Sequence, residues 1–104
     1  MHTYRFNKVK TILKSANLKI LYALKDGKKR WSEFERLMNK RQVSDSLNEL
    51  IKLGLVQTVE QQRGLQIYRV YTLTPLGQRI LEKLEELEDM ISGGVEGEKD
   101  EKPD

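Results

Sequence analysis

The feature that most restricts this chain is a change of period at Gly54. Before it, apolar residues recur at helical spacing, as Phe6, Val9, Ile12 and Leu13, then Leu18, Ile20, Leu21 and Leu24, then Val43, Leu47 and Leu50. After it, Leu55 to Gln62 and Ile67 to Leu73 read as strands, the second placing Ile67, Arg69, Tyr71 and Leu73 on one face. From Thr74 the helical period returns and holds to Ile91. A chain of 104 residues has room for one small domain. The expectation is a mainly α fold carrying one small β-hairpin, an α+β domain over residues 1–92.

Punctuation along the chain supports that division. Phe6 to about Lys14 predicts a short amphipathic helix, and Asn17 is the expected cap of the next, which Asp26-Gly27 stops. Lys28 to Trp31 is a short extended stretch. Ser32 with Glu35 reads as a capping box opening a brief helix, and Asn39 with Gln42 reads as a weaker one. The helix pair spans about 33–53, and Gly54 supplies the left-handed position after its second member. Arg63-Gly64 is the expected hairpin tip within 55–73. Thr74 followed by Pro75 is a cap with proline at the first helical position, opening a helix over 75–91.

Composition closes off whole classes of function. No cysteine is present, which excludes disulfides, thiolate metal sites and thiol chemistry. The single histidine, His2, lies at the terminus, so triads and histidine-rich zinc sites are excluded and no cofactor is expected. No constellation of carboxylates, nucleophile and glycine loop marks an enzyme. There is no apolar run of membrane-spanning length and no signal-peptide pattern, so a cytoplasmic protein with no membrane partner is expected.

The net charge of +3 hides a polarity. Residues 1–74 hold 15 of the 19 bases and 6 of the 16 acids, a net +9, while residues 75–104 are net −6. A basic body suits a polyanion, and the acidic end suits solvent or protein. The alternative is a solvated charged surface.

Three stretches carry a family resemblance over residues 18–84. They are Ile20-Leu21-Tyr22-Ala23-Leu24-Lys25-Asp26-Gly27, the run from Val43 to Leu53-Gly54-Leu55-Val56, and Val70-Tyr71-Thr72-Leu73-Thr74-Pro75-Leu76-Gly77. Each is weak alone, but in this order and spacing the chain resembles winged helix-turn-helix transcriptional regulators of the HxlR, PadR and MarR kind. The resemblance implies a winged helix-turn-helix with a long C-terminal dimerisation helix. The implied activity is regulation of transcription by binding double-stranded DNA, with the recognition helix in the major groove and the wing toward the minor groove. The family's thiol sensors need a cysteine that this chain lacks.

On that scaffold residues 40–53 are the recognition helix. Val43, Leu47 and Leu50 pack inward, which leaves Lys40, Arg41, Gln42, Ser44, Asp45 and Asn48 toward a groove. These residue types read bases: Arg takes guanine, Gln and Asn take adenine, and a good bidentate pair discriminates by ~1–3 kcal/mol. Asp45 suits phosphate poorly and can accept from cytosine or pair with Arg41. Arg63 at the wing tip is the candidate for the minor groove, where narrow A·T-rich segments attract arginine. Lys28, Lys29 and Arg30 are candidate phosphate clamps. Trp31 is expected in the core beside the wing strands. Tyr4, Tyr68 and Tyr71 can line a pocket or the core, and no effector is assigned.

The last helix suggests a second copy of the chain as partner. Leu76, Ile80, Leu84, Leu87 and Ile91 form an apolar seam about 25 Å long at the helical rise. A homodimer through Ile80, Leu84, Leu87 and Ile91, with Phe6, Val9 and Leu13 alongside, presents two recognition helices to paired half-sites. The alternative folds this helix back on its own body. Residues 93–104 lack core residues and are expected to form a disordered acidic tail. A rival use of the same scaffold is a protein–protein module in a transcription or replication complex, since fold does not fix function.

Overall fold

In a computed structural model describing residues 5–96, four α-helices, one 3-10 helix and one hairpin follow the predicted order. Helix α1 is Asn7–Ile12, α2 is Ser15–Leu24, and a 3-10 helix covers Trp31–Arg36. Helix α3 is Lys40–Lys52, strands β1 and β2 are Val56–Arg63 and Gln66–Leu73, and α4 is Pro75–Glu96. The strands pair antiparallel, Val56 opposite Leu73 through Arg63 opposite Gln66. The basic stretch after α2 adds a single antiparallel bridge on the edge of β2, where Lys29 and Tyr71 exchange both backbone hydrogen bonds at 3.0 and 2.8 Å. This is a winged helix.

The core forms where these elements meet. Ile20, Leu21 and Leu24 of α2 pack with Val43, Leu47 and Leu50 of α3, and Phe34, Leu55, Val56, Tyr71 and Leu81 close around them. Burying each large apolar side chain contributes roughly 1.5–3 kcal/mol. Phe34 meets Tyr71 edge-on, with ring centroids 6.1 Å apart. Trp31 packs against this cluster.

Two chain reversals fix how α3 meets the hairpin and α4. After α3, Gly54 sits at φ 80°, Gly54 N–H donates to Ile51 O and Leu55 N–H to Leu50 O, both at 2.9 Å. This pair of bonds is the Schellman arrangement, and it turns Leu55 into the same core cluster as Leu50. At the start of α4, Thr74 Oγ1 donates to Gly54 O at 2.6 Å and accepts from Gly77 N–H at 2.9 Å. One hydroxyl thus caps α4 and ties it to the end of α3.

The structure departs from the sequence expectations at four places. The cap of the 3-10 helix is not Ser32 with Glu35: Glu33 Oε2 accepts from the Arg30 N–H at 2.8 Å, because the chain leaves the Lys29–Tyr71 bridge already turning. Asn17 does not cap α2, which begins two residues earlier; its side chain is fully buried instead. Arg63 is the last paired residue of β1 rather than part of the loop, and Gly64-Leu65 make the two-residue turn, with Gly64 at φ 62°. Finally, α4 runs past Ile91 to Glu96. Gly93 and Gly94 weaken a helix by about 1 kcal/mol each but still donate their amides, so they do not end it as a proline would. Residues 97–104 of the expected tail, and His2 and Tyr4, lie outside the described residues.

Candidate nucleic-acid interface

The outer face of α3 is built by a strict division of its turns. Val43 and Leu50 are fully buried and Leu47 nearly so, which forces Arg41, Gln42, Ser44, Asp45 and Asn48 into solvent. The N-terminus is held by a reciprocal capping box: Gln42 N–H donates to Asn39 Oδ1 at 2.8 Å, and Asn39 N–H donates to Gln42 Oε1 at 3.2 Å. Gln42 therefore spends its carbonyl oxygen on the helix end. Its amide N–H groups remain for another acceptor.

Arg41 and Asp45 approach along one turn, Nε to Oδ2, at 3.9 Å. An exposed pair of this kind is worth about 0.3–0.5 kcal/mol, so Arg41 is easily recruited by a stronger acceptor. Its side chain is 91% exposed. Lys40 lies 3.8 Å from Glu35, also in solvent. Ser44 and Asn48 project from the same side of the helix as Arg41 and Asp45.

The other basic candidates sit on or against the hairpin rather than on α3. Lys28 Nζ donates to Gln61 Oε1 of β1 at 2.8 Å. The Arg30 guanidinium stacks over the Tyr68 ring, Cζ 3.9 Å from its centroid, which holds the charge flat against β2. Lys29 is half-buried and contributes its backbone to the bridge. Arg63 is exposed at the distal end of β1, beside Leu65, which is fully exposed at the turn. The candidates thus fall into two groups, one along α3 and one along the wing and its edge.

Sequence reasoning missed the groups behind α3. Lys14 Nζ donates to Glu49 Oε2 at 2.8 Å, and Glu49 Oε1 accepts from Asn17 Nδ2 at 3.0 Å. Asn17 Nδ2 also donates to Thr11 O at 2.7 Å, while its Oδ1 is buried without a hydrogen-bond partner. These bonds, from Lys14 first and then Asn17, hold the Glu49 carboxyl below its ordinary value of 4.5. No sequence period reveals this link, because it joins residues 32 positions apart.

The residues expected at a dimer interface divide as well. Ile80 and Leu84 pack against the core of their own domain. Leu87 and Ile91 of α4, with Met90, stand in solvent, as do Phe6, Val9 and Leu13 around α1. Among the described residues no group of histidines, cysteines and carboxylates is placed to hold a metal ion. No described helix is long and apolar enough to cross a membrane.

Solved structures share this architecture. A putative transcriptional regulator, ytfH, from Salmonella typhimurium is 28% identical, with a TM-score of 0.65, over 86% of this chain and 81% of that one. A putative MarR-family transcriptional regulator from Enterococcus faecalis V583 is 27% identical, with a TM-score of 0.76, over 93% of this chain and 94% of its own. The reduced form of the regulator YodB from B. subtilis, 22% identical with a TM-score of 0.72 over 85% of this chain and 89% of that one, shares the fold. No curated protein sequence matches the chain. The HxlR-like helix-turn-helix family model matches residues 5–99. That match covers most of the chain, which therefore belongs to the HxlR-like helix-turn-helix family of DNA-binding transcriptional regulators.

Proposed function

We propose that the protein is a homodimer that binds a specific double-stranded operator, with α3 in the major groove and the wing toward the minor groove. The observation that carries this reading is the exposed row on α3. Arg41, Ser44, Asp45 and Asn48 are carried on a helix whose opposite face is locked in the core and whose N-terminus is capped. A reading head needs that rigidity, because base contacts are lost when the helix shifts. Gln42 is a weaker base reader than its type suggests, since its carbonyl is engaged in the cap. Lys28 and Arg30 are phosphate contacts that set register, and Arg63 enters the minor groove.

A second copy is supported by complementary surfaces. The segment from Arg5 to Lys14 carries four bases and no acid, around exposed Val9 and Leu13. The end of α4 exposes Leu87, Met90 and Ile91 among Glu86, Glu88 and Asp89. Packing these segments across a two-fold axis buries the apolar rows and sets opposite charges against each other. The two recognition helices then address half-sites about 34 Å apart.

The test is substitution of the exposed row without touching the cap. Arg41→Ala and Asn48→Ala are expected to keep the fold and to reduce preference for operator over scrambled duplex by roughly 10- to 100-fold each, the range of one bidentate contact. Unchanged preference in both variants would remove α3 as the reading element.

A further inference from the structure

Where the end of α2, the base of the wing and the start of α4 converge, the surface opens into a cavity of about 770 Å³. Its floor is apolar, formed by Leu24, Leu73 and Leu81. Its rim carries Asp26, Glu82 and Glu85. Two lysines line it too, but both are engaged: Lys28 reaches away to Gln61 on the wing, and Lys25 Nζ donates to Glu85 Oε2 at 2.6 Å. Asp26 and Glu82 form no salt bridge among the described residues.

Lys25 displays what this wall accepts. Its ammonium is held by the Glu85 carboxylate and lies 5.7 Å from the centroid of the exposed Tyr22 ring. The Glu85 hydrogen bond, reinforced by that carboxylate's charge, raises the Lys25 pKa. A carboxylate and an aromatic face are the two groups that recognise organic ammonium ions. Past Lys25 a second hollow of about 580 Å³ continues between α2 and α4, where Glu88 and Asp89 stand beside Leu18 and Leu84. The two hollows together present five acids against two bases, on a body that is otherwise strongly basic.

We propose that this cavity is a binding site for a lipophilic organic cation, an amine or quaternary cation carrying an aromatic or aliphatic body. The apolar floor takes the body, and Glu82 and Glu85 take the charge, with Glu85 exchanging the Lys25 ammonium for the ligand's. The volume lies within the range of small-molecule sites. Its walls are the end of α2, which packs on α3, the wing root and the long helix, so an occupant that favours one arrangement of the three changes duplex affinity, and duplex changes its affinity by the same factor. Existence of the site does not depend on the duplex-binding reading, and its test uses no DNA.

The experiment is fluorescence-anisotropy titration of the full chain into rhodamine 6G, with fluorescein as an anion of similar ring system. The expected result is saturable binding of rhodamine 6G at one site per chain, with fluorescein at least tenfold weaker. Glu82→Gln and Glu85→Gln are each expected to weaken rhodamine 6G about tenfold. Glu86→Gln makes the same charge change outside the cavity, where Glu86 lies 3.4 Å from Lys83, and is expected to stay within twofold. Glu82 is exposed and forms no salt bridge among the described residues, so its variant keeps the fold if Glu85→Gln does not. No saturable binding, equal binding of both dyes, or an equal loss in Glu86→Gln would each overturn the proposal.

Discussion

Asn17 Nδ2 lies 3.0 Å from Glu49 Oε1, and this bond joins the start of α2 to α3. Lys14 closes the other carboxylate oxygen at 2.8 Å, and Thr11 O takes the remaining amide hydrogen bond of Asn17 at 2.7 Å. The segment that carries the basic surface of α1 is thereby fixed to α3. The donors of this link are satisfied and Asn17 Oδ1 is not; a buried polar atom left alone costs about 1–3 kcal/mol, so the link sets its charge-assisted bonds against that cost.

That link has a pH signature. The Glu49 carboxyl is held below its ordinary value by the Lys14 and Asn17 hydrogen bonds. A depressed carboxylate contributes stability that is present above its unfolded pKa and is lost as pH falls through the folded one. Glu49→Gln is expected to melt below the parent at neutral pH. The two melting temperatures should converge as pH drops below 4.5. Thermal melts by circular dichroism from pH 7 to pH 3 check this, and a gap that persists at low pH would contradict it.

Of Gly27, Gly54, Gly64 and Gly77, only Gly77 has no room for a side chain. A Cβ built there stands 2.0 Å from Leu55 O, a backbone atom that cannot move aside. Gly77→Ala is expected to destabilise by about 3 kcal/mol, the upper end of overpacking costs. For a domain of this size that lowers Tm by roughly 10–20 °C. A Tm within a few degrees of the parent would show that α4 can slide away from Leu55.

How far the sequence speaks depends on whether a feature is local. The capping box at Asn39 and Gln42, the Gly54 reversal and the Thr74-Pro75 start were legible because each is closed by residues a few positions apart. The core faces of α2 and α3 were legible from period alone. Asn17 misled because a helix-capping residue type is also a good buried hydrogen-bond donor, and its partner Glu49 is 32 residues away. Ser32 misled because the edge bridge at Lys29 and Tyr71 sets where the next turn begins, and that bridge is a long-range pairing. At the interface, sequence chose the residue types on α3 but did not foresee that Gln42 is half spent on its own helix end.

The cap offers a separation of stability from reading. Asn39→Ala removes the acceptor for Gln42 N–H and is expected to cost about 1 kcal/mol. Denaturant titration measures the loss. An unchanged midpoint would mean that another acceptor replaces the cap.

Lys28 and Arg30 predict a different response from Arg41. A phosphate contact carries no sequence information, so Lys28→Ala is expected to weaken all duplexes alike and to reduce the slope of log K against log salt by about one. Anisotropy at four salt concentrations reads the slope. A loss confined to one sequence would move Lys28 from positioning to base reading.

The dimer reading turns on α4. Leu87→Glu with Ile91→Glu places charges on two exposed apolar residues, so the domain itself is expected to fold normally. Light scattering after size exclusion is expected to report a dimer for the parent and a monomer near 12.2 kDa for the variant. A parent that is already monomeric would contradict dimerisation through this helix.

The most direct test of the central claim is an anisotropy titration of the intact protein with duplex from upstream of its own gene and with scrambled duplex, at two salt concentrations. A sequence-reading regulator predicts roughly a hundredfold preference or more for one duplex, surviving at the higher salt. Equal binding to both that collapses with salt, or no binding at the lower salt, would contradict recognition of that operator by α3.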